Sequence, residues 1–120
     1  MPNKVMIVDD ALFMRVSIRK IITGAGYDVV AEAGDGNEAV RLYEVSKPDA
    51  VLMDITMPGK DGLTAAKEIL LNYPDAKIIM CTALGQQNML AEAIKAGVRD
   101  YIVKPFQPER VIESLAKVLE

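Results

Sequence analysis

The sequence contains no histidine and only one cysteine, Cys81. A single cysteine cannot form an internal disulfide bond, and no secretion signal precedes the first apolar run, so we expect a cytoplasmic protein. No apolar run approaches the ~20 residues that a membrane-spanning helix requires. The 14 basic residues are scattered and the net charge is −3. Nucleic acid is therefore not an expected partner, because phosphate backbones bind clustered positive charge.

The chain also lacks any sign of internal division. Its length of 120 residues is typical of one domain. No linker, repeat or low-complexity segment interrupts it, and such segments would mark the boundaries between units. We therefore expect residues 1–120 to form one domain.

Five apolar runs recur along the chain and alternate with segments of helical spacing. They are Lys4 to Val8, Asp28 to Ala33, Ala50 to Met53, Lys77 to Thr82 and Asp100 to Val103. Strands that are joined by helices run parallel to one another, so this alternation predicts an α/β fold of five βα units.

The composition of each run predicts its place in the sheet. A parallel strand that is covered on both faces is continuously apolar, as in "VMIV", "AVLM" and "IIMC". The second run is interrupted by Glu32 and the fifth is short, which favours an edge position for both. This assignment predicts the flavodoxin-like strand order 2-1-3-4-5 and a three-layer (βα)5 sandwich.

Polar side chains follow the predicted strands at the edge where parallel α/β sheets bind ligands. Asp9 and Asp10 follow the first strand and Asp54 follows the third, while Thr82 and Lys104 end the fourth and fifth segments. Neighbouring carboxylates raise one another's pKa, so the cluster is expected to need a cation. Oxygen ligands suit Mg²⁺ or Mn²⁺ better than zinc or copper, and Mg²⁺ commonly binds carboxylates together with phosphate oxygens. We therefore expect a magnesium site that meets a phosphoryl group.

The same aspartates also allow a purely structural interpretation. Asp10 could cap a helix that begins at Ala11, and aspartate is common in turns. If the aspartates served only as caps, the protein would show no metal dependence. The convergence of three carboxylates with Lys104 and the Thr82 hydroxyl favours the phosphoryl site, because both of these groups can donate to phosphate.

Five motifs, in this order, resemble the receiver domain of two-component response regulators. They are "VDD" at Val8 to Asp10, "MDITMP" at Met53 to Pro58, "GLTAAKEI" from Gly62, "CTA" at Cys81 to Ala83 and "KPF" at Lys104 to Phe106. The resemblance spans essentially the whole chain and implies that Asp54 is the phosphoacceptor. Asp9, Asp10 and Asp54 would bind Mg²⁺. Thr56 would add its backbone carbonyl to that site.

The resemblance further implies how phosphorylation would be sensed. Thr82 would be the hydroxyl that moves toward the phosphate, and Tyr101 the aromatic ring that rotates with it. Lys104 would be the cation partner of the phosphate, followed by a cis peptide bond before Pro105. Such a domain is expected to be a monomer. It is not an enzyme, except that it catalyses its own phosphorylation and dephosphorylation.

Within this family, "DDALFMR", "GQQ" and "KPFQP" resemble the chemotaxis regulators. This implies a histidine kinase as the phosphodonor, the flagellar motor switch protein as the target and a phosphatase as a further partner. The chain differs from the enteric regulators at Thr56 and Leu84, where those proteins have Asn and Glu beside the attacking water. The resemblance therefore does not imply the lifetime of the phosphate. A stand-alone phosphorelay receiver, which passes its phosphate to another protein, is the alternative within the family.

Two alternatives come from other functional classes. A Mg²⁺-dependent aspartyl-phosphate hydrolase would share the nucleophile, but the haloacid-dehalogenase-like version needs an aspartate at the position of Thr56. A nucleotide- or flavin-binding module would use "GDGNEA", Gly34 to Ala39, as a glycine fingerprint. Asp35 would there place negative charge toward a pyrophosphate. A turn with a helix start at Gly36 and Asn37 is the favoured interpretation of that segment.

Overall fold

The computed structural model describes residues 2–120 and contains a parallel five-stranded sheet between two layers of helices. The strands are β1 (Lys4–Val8), β2 (Asp28–Ala33), β3 (Ala50–Asp54), β4 (Ile78–Thr82) and β5 (Asp100–Val103). The helices are α1 (Leu12–Gly24), α2 (Gly36–Ser46), α3 (Gly62–Asn72), α4 (Gln87–Ala96) and α5 (Pro108–Leu119). Two strand boundaries differ from the sequence prediction by one residue, since β3 includes Asp54 and β4 begins after Lys77.

The strand order is β2-β1-β3-β4-β5, and every neighbouring pair is parallel. The predicted flavodoxin-like topology is thus confirmed. All residues of the interior strand β4 are buried. At the edge, β5 buries Asp100 and Ile102 and exposes Tyr101 and Val103. This alternation follows because successive side chains of a strand point to opposite faces and only one face of β5 is fully covered.

The hydrophobic core has two parts, one on each face of the sheet. On one face Ile18 and Ile22 of α1 and Leu115 of α5 are buried against the sheet. On the other face α2, α3 and α4 contribute a second set of buried residues. Cys81 belongs to the α1/α5 side, and burial raises the pKa of its thiol to about 12. The helices on both faces fix the position of the sheet. The loops that follow the carboxyl ends of its strands therefore start from fixed positions.

The segment "GDGNEA" forms the start of α2. The Asp35 side chain accepts a hydrogen bond from the Glu38 N–H at 2.8 Å, and Glu38 Oε1 accepts one from the Gly34 N–H at 2.8 Å. This pattern resembles a capping box, except that Glu38 accepts from the residue before the N-cap Asp35 and not from Asp35 itself. The Gly36 N–H donates to the Lys60 carbonyl at 3.1 Å, and the two backbones are so close that no Cβ would fit at Gly36. The glycines thus serve a helix start, as the favoured interpretation had it.

The helices are short, and the longest, α1, has 13 residues. Within the part of the chain that the structure describes, none of them has the length and apolar character needed to cross a membrane.

Candidate functional site

Three aspartates meet at the carboxyl ends of β1 and β3, where the strand order reverses. Asp9 directly follows β1, and Asp54 is the last residue of β3. One carboxylate oxygen from each of Asp9, Asp10 and Asp54 lies within 4.8 Å of the other two. Asp9 is 3% exposed whereas Asp10 is exposed. The structure therefore brings the predicted acidic residues together in one cluster that is open to solvent at Asp10.

Helix capping does not account for Asp10. Helix α1 begins at Leu12, its N-cap residue is Ala11, and no side chain caps it. The nearby backbone donor, the Ala11 N–H, bonds to Asp9 Oδ1 at 2.9 Å. The interpretation of Asp10 as the cap of a helix from Ala11 is therefore wrong.

Lys104 carries a positive charge from the end of β5 to the aspartate cluster. Its Nζ lies 2.9 Å from Asp9 Oδ2 and 3.4 Å from Asp54 Oδ2. The Lys104–Pro105 peptide bond is cis, as the resemblance implied. The chain itself thus supplies part of the positive charge that the aspartates require.

The charges of this cluster shift the pKa values of two of its members. Burial raises the pKa of Asp54 above its ordinary value; Lys104 opposes this rise, while Asp9 and Asp10 add to it. For Lys104, burial acts to lower the pKa, but the hydrogen bond to Asp9 and the charge of Asp54 raise it overall. The sequence predicted mutual repulsion of the aspartates as a cause of raised pKa values, and at Asp54 removal from water is the larger cause. A carboxylate in this position gains from any further cation.

The donor set fits a hard divalent cation. Asp9, Asp10 and Asp54 offer oxygen atoms that lie close together, and Mg²⁺ binds carboxylates of this kind while keeping several waters. The only sulfur ligand available from a cysteine, Cys81, is buried in the core. Thr56 follows Asp54 by two residues and is exposed. These residues could hold Mg²⁺.

Arg15, which the sequence reasoning missed, fixes the end of β1. Its Nη1 donates to the Asp9 carbonyl at 2.6 Å, and its Nε lies 3.4 Å from Glu32 Oε1 on β2. The arginine side chain thereby ties α1 to two adjacent strands. No sequence spacing indicates this contact, since its partners are a backbone carbonyl and a residue of another element.

Gly62 fixes the end of β3 in a different way. Its N–H donates to the Ile55 carbonyl at 2.9 Å, and its Cα packs so closely on the Asp54 carbonyl that no Cβ would fit. Asp61 caps α3 by accepting a hydrogen bond from the Thr64 N–H at 2.8 Å. The sequence pair Asp61–Gly62 does indicate a helix start, but the close approach to Asp54 is visible only in the structure.

Thr82 ends β4, and its side chain takes part in a small network. The Thr82 hydroxyl donates to Gln86 Oε1 at 3.1 Å, and the Ala83 N–H donates to the same oxygen at 2.8 Å. Gln86 Nε2 in turn donates to Thr56 Oγ1 at 2.9 Å. The family resemblance assigned roles to Thr82 and Thr56. Gln86, which connects them, was named only within the motif "GQQ" and had no assigned role.

Tyr101 lies on β5 with 41% of its surface exposed. Together with Thr82, Leu84 and Leu90 it lines a surface cleft of about 200 Å³. The Tyr101 carbonyl accepts a hydrogen bond from Arg110 Nη2 at 2.7 Å, which ties β5 to α5. The ring therefore lies beside a space that borders the Thr82 side chain.

Comparison with known families assigns the chain to one family. Residues 5–116 match the model described as "Response regulator receiver domain". The chain belongs to this family. Receiver domains are signalling modules and not classical enzymes, so membership speaks against a hydrolase that acts on small molecules.

Individual relatives of this receiver domain carry a more specific name. The chain is 59% identical over 118 residues to "Chemotaxis protein CheY" of Thermotoga maritima, with 98% of each chain covered. It is 53% identical over 119 residues to the protein of the same name from Bacillus subtilis, with 99% of each covered. A chain in the crystal structure of the CheX-CheY-BeF3-Mg²⁺ complex from Borrelia burgdorferi superimposes with a TM-score of 0.94 at 34% identity, covering 100% of this chain and 91% of that one. The receiver domain is thus of the CheY type.

Proposed function

We propose that this receiver domain is a phosphorylation-activated switch in chemotaxis. Asp54 accepts a phosphoryl group from a histidine kinase, and the phosphorylated domain binds the flagellar motor switch protein. The observation that carries the proposal is the position of Asp54 beside two further aspartates and Lys104. The identity of 59% to a protein named for chemotaxis supports the biological setting.

Asp54 acts as the nucleophile of the transfer. One of its carboxylate oxygens attacks the phosphorus of a phosphohistidine, a P–O bond forms, and the P–N bond breaks with its electron pair left on the imidazole nitrogen of the donor. The Asp54 side chain is 13% exposed, which leaves an approach for the donor from solvent. Lys104, 3.4 Å from Asp54 Oδ2, balances negative charge on the transferring oxygens.

Asp9, Asp10 and Asp54 hold Mg²⁺ in this proposal, with the Thr56 carbonyl as a further ligand. When bound, the ion supplies positive charge that stabilises the oxygens of the transferring phosphoryl group. Asp9 has a second role, because its Oδ2 accepts from Lys104 Nζ at 2.9 Å. Asp9 thereby orients the lysine toward Asp54.

Phosphorylation changes the groups around Asp54 because the product adds charge and three strong acceptor oxygens. The Thr82 hydroxyl and the Lys104 ammonium are the donors at hand. Moving a two-state equilibrium from mostly inactive to mostly active requires about 5.5 kcal/mol of differential binding. Charge-assisted hydrogen bonds contribute about 1.5–3 kcal/mol each, so about two to four of them supply this difference.

The change at Thr82 reaches the surface through Tyr101. When the Thr82 side chain turns toward the phosphate, the cleft beside it gains room, and the exposed ring of Tyr101 turns inward. This alters a surface made by the β4–α4 turn, α4, β5 and α5, which already exposes Leu84, Ile94 and Val103. Such apolar side chains suit a protein partner.

The flagellar motor switch protein is the proposed target of that surface, and a phosphatase is a further partner. The Borrelia neighbour, which was crystallised with CheX, BeF3 and Mg²⁺, supports recognition of this fold by a second protein.

Phosphorylation is tested by incubating the protein with acetyl phosphate and Mg²⁺ and measuring its intact mass. We expect one added phosphoryl group, no addition to Asp54→Asn, and normal addition to the control Asp75→Asn, which changes an exposed aspartate far from the site. Label that persists in Asp54→Asn would refute the assignment.

Partner identity requires a separate measurement. Phosphorylated and unphosphorylated protein, immobilised side by side, are exposed to purified flagellar motor switch protein and to a histidine phosphotransfer domain. Phosphorylation-dependent retention of the motor protein supports the chemotaxis role. Transfer of the phosphate to the histidine domain, without retention of the motor protein, indicates a phosphorelay receiver instead.

A further inference from the structure

The turn between β4 and α4 is closed by hydrogen bonds from its first residues to the side chain of Gln86. Gly85 adopts a φ of 90°, a left-handed conformation that glycine accepts without strain. The Gln86 Oε1 then accepts from the Ala83 N–H at 2.8 Å and from the Thr82 hydroxyl at 3.1 Å. Both donors follow Cys81, the strand partner of Asp54. The amide oxygen of Gln86 therefore accepts hydrogen bonds from two donors beside the phosphoacceptor Asp54.

The other end of the same side chain reaches the segment that follows β3. Gln86 Nε2 donates to Thr56 Oγ1 at 2.9 Å, across 30 positions of sequence. Gln86 thus bridges the two segments that follow the neighbouring strands β3 and β4. An uncharged amide oxygen is a weaker acceptor than a charged phosphoryl oxygen. The two donors would therefore change partner when a phosphoryl group forms within their reach.

We propose that Gln86 is a positioning residue that stabilises the unphosphorylated arrangement of this receiver domain. The inference rests on the proposed phosphorylation of Asp54. It adds that Gln86 competes with the phosphoryl group for the same two hydrogen-bond donors. Thr82 and the Ala83 N–H can donate to the phosphate only after they leave Gln86. Gln86 itself does not contact the reacting atoms; it sets the equilibrium between two arrangements of the β4–α4 turn. Loss of its side chain shifts that equilibrium toward the active arrangement.

The test uses BeF3⁻ with Mg²⁺ as a stand-in for the phosphoryl group, as in the Borrelia complex. The apparent dissociation constant is measured by NMR at the Ala83 amide for the wild type and for Gln86→Ala. We expect tighter binding in Gln86→Ala by about threefold to tenfold, the equivalent of one net hydrogen bond. The control is Asn88→Ala, a comparable truncation at an exposed amide side chain that does not line the cleft beside Thr82, for which we expect no change.

Gln86→Glu separates competition from a merely structural role. The carboxylate of this variant still accepts hydrogen bonds from Thr82 and Ala83, and it is a stronger acceptor than the amide. BeF3⁻ should therefore bind Gln86→Glu more weakly than it binds the wild type. A structural defect would weaken binding in both Gln86 variants, whereas competition moves them in opposite directions. Without BeF3⁻ and Mg²⁺, the ring signals of Tyr101 in Gln86→Ala should shift toward their positions in the BeF3⁻-bound wild type.

The outcomes distinguish this inference from the proposed function. If the wild type binds BeF3⁻ but Gln86→Ala binds no more tightly than Asn88→Ala, the role of Gln86 is overturned while the Asp54 site stands. If the wild type itself fails to bind BeF3⁻ with Mg²⁺, the proposed phosphorylation is overturned and this inference with it.

Discussion

Lys104 Nζ lies 2.9 Å from Asp9 Oδ2, although 95 positions separate the two residues in the chain. The ion pair connects β1 with β5, which are not neighbours in the sheet. Because Nζ also lies 3.4 Å from Asp54 Oδ2, one lysine balances two carboxylates at once. The acidic cluster is thus a mixed-charge site even without a bound ion.

Lys104→Met should raise the pKa of Asp54 further, because Lys104 opposes the effect of burial on that carboxyl. At a given pH below neutrality, a smaller fraction of Asp54 would then be ionised. The measurement is a titration of the Asp54 side-chain carboxyl followed by ¹³C NMR. Lys95→Met, an exposed change on α4, is the control. An Asp54 titration curve that is the same in both variants would contradict the electrostatic role of Lys104.

The two aspartates after β1 should respond differently to substitution. Asp9→Ala removes the acceptor of the Ala11 N–H and one of the two carboxylates that Lys104 contacts, so we expect a loss of about 1–3 kcal/mol in the free energy of unfolding. Asp10→Ala removes an exposed charge that repels Asp54, so its effect should stay within about 0.5 kcal/mol.

Both variants should nevertheless bind Mg²⁺ more weakly than the wild type. Urea denaturation without metal gives the stabilities, and calorimetry with Mg²⁺ gives the affinities. Equal stability of the two variants would mean that Asp9 has no structural role, and unchanged Mg²⁺ affinity in both would remove them from the metal site.

Gly62→Ala should destabilise the protein, because its Cβ would overlap the Asp54 carbonyl. Forcing backbone apart in a packed region costs about 1–3 kcal/mol. Gly24→Ala is a matched control at the end of α1, where nothing lies within 4 Å of the added Cβ. We expect that control to be neutral or slightly stabilising. Thermal denaturation compares the two, and equal melting temperatures would show that the backbone near Asp54 adapts without cost.

Ser114→Ala should change how the free energy of unfolding depends on pH under acidic conditions. Burial acts to raise the pKa of Asp100, but the Ser114 hydrogen bond, a backbone hydrogen bond and the positive charges of Arg110 and Lys117 lower it overall. A carboxyl with a lowered pKa stabilises the folded state above its ordinary pKa, and this contribution is lost as the pH falls through the folded value. Removing the Ser114 hydroxyl, 2.7 Å from Asp100 Oδ2, should make that loss smaller.

The same substitution should cost about 1–3 kcal/mol at neutral pH, because Asp100 loses a buried donor. Denaturation curves at several pH values measure both effects. Ser46→Ala removes a hydroxyl that donates to a helix carbonyl, Leu42 O, and should leave the pH dependence unchanged. A parallel profile for Ser114→Ala and the wild type would contradict the role of this hydrogen bond.

The fold was predictable because a parallel strand that is buried on both faces has a continuously apolar sequence. The uninterrupted apolar run "IIMC" became the fully buried β4, and Glu32 marked β2 as an edge. Once the strands are parallel and ordered, Asp9 and Asp54 must lie at the same rim. The convergence of acidic residues therefore followed from topology, without knowledge of any side-chain contact.

The supporting contacts could not be predicted in the same way. Arg15 and Gln86 are single polar residues whose partners lie on other elements, so no periodicity reports them. The close approach of Gly62 to Asp54 depends on the exact path of the backbone after β3. The sequence reasoning also assigned the balancing of charge to a bound ion, and could not weigh that against the contact of Lys104 with both aspartates.

The seclusion of Cys81 has a practical consequence for biophysical work. Its thiol is 2% exposed in the layer between the sheet and helices α1 and α5, where maleimide reagents cannot reach it. A cysteine introduced on the outer side of α4, for example Glu92→Cys, would then be the sole position for a fluorescent dye. Movement of α4 could be followed by fluorescence spectroscopy without replacing any residue of the interior.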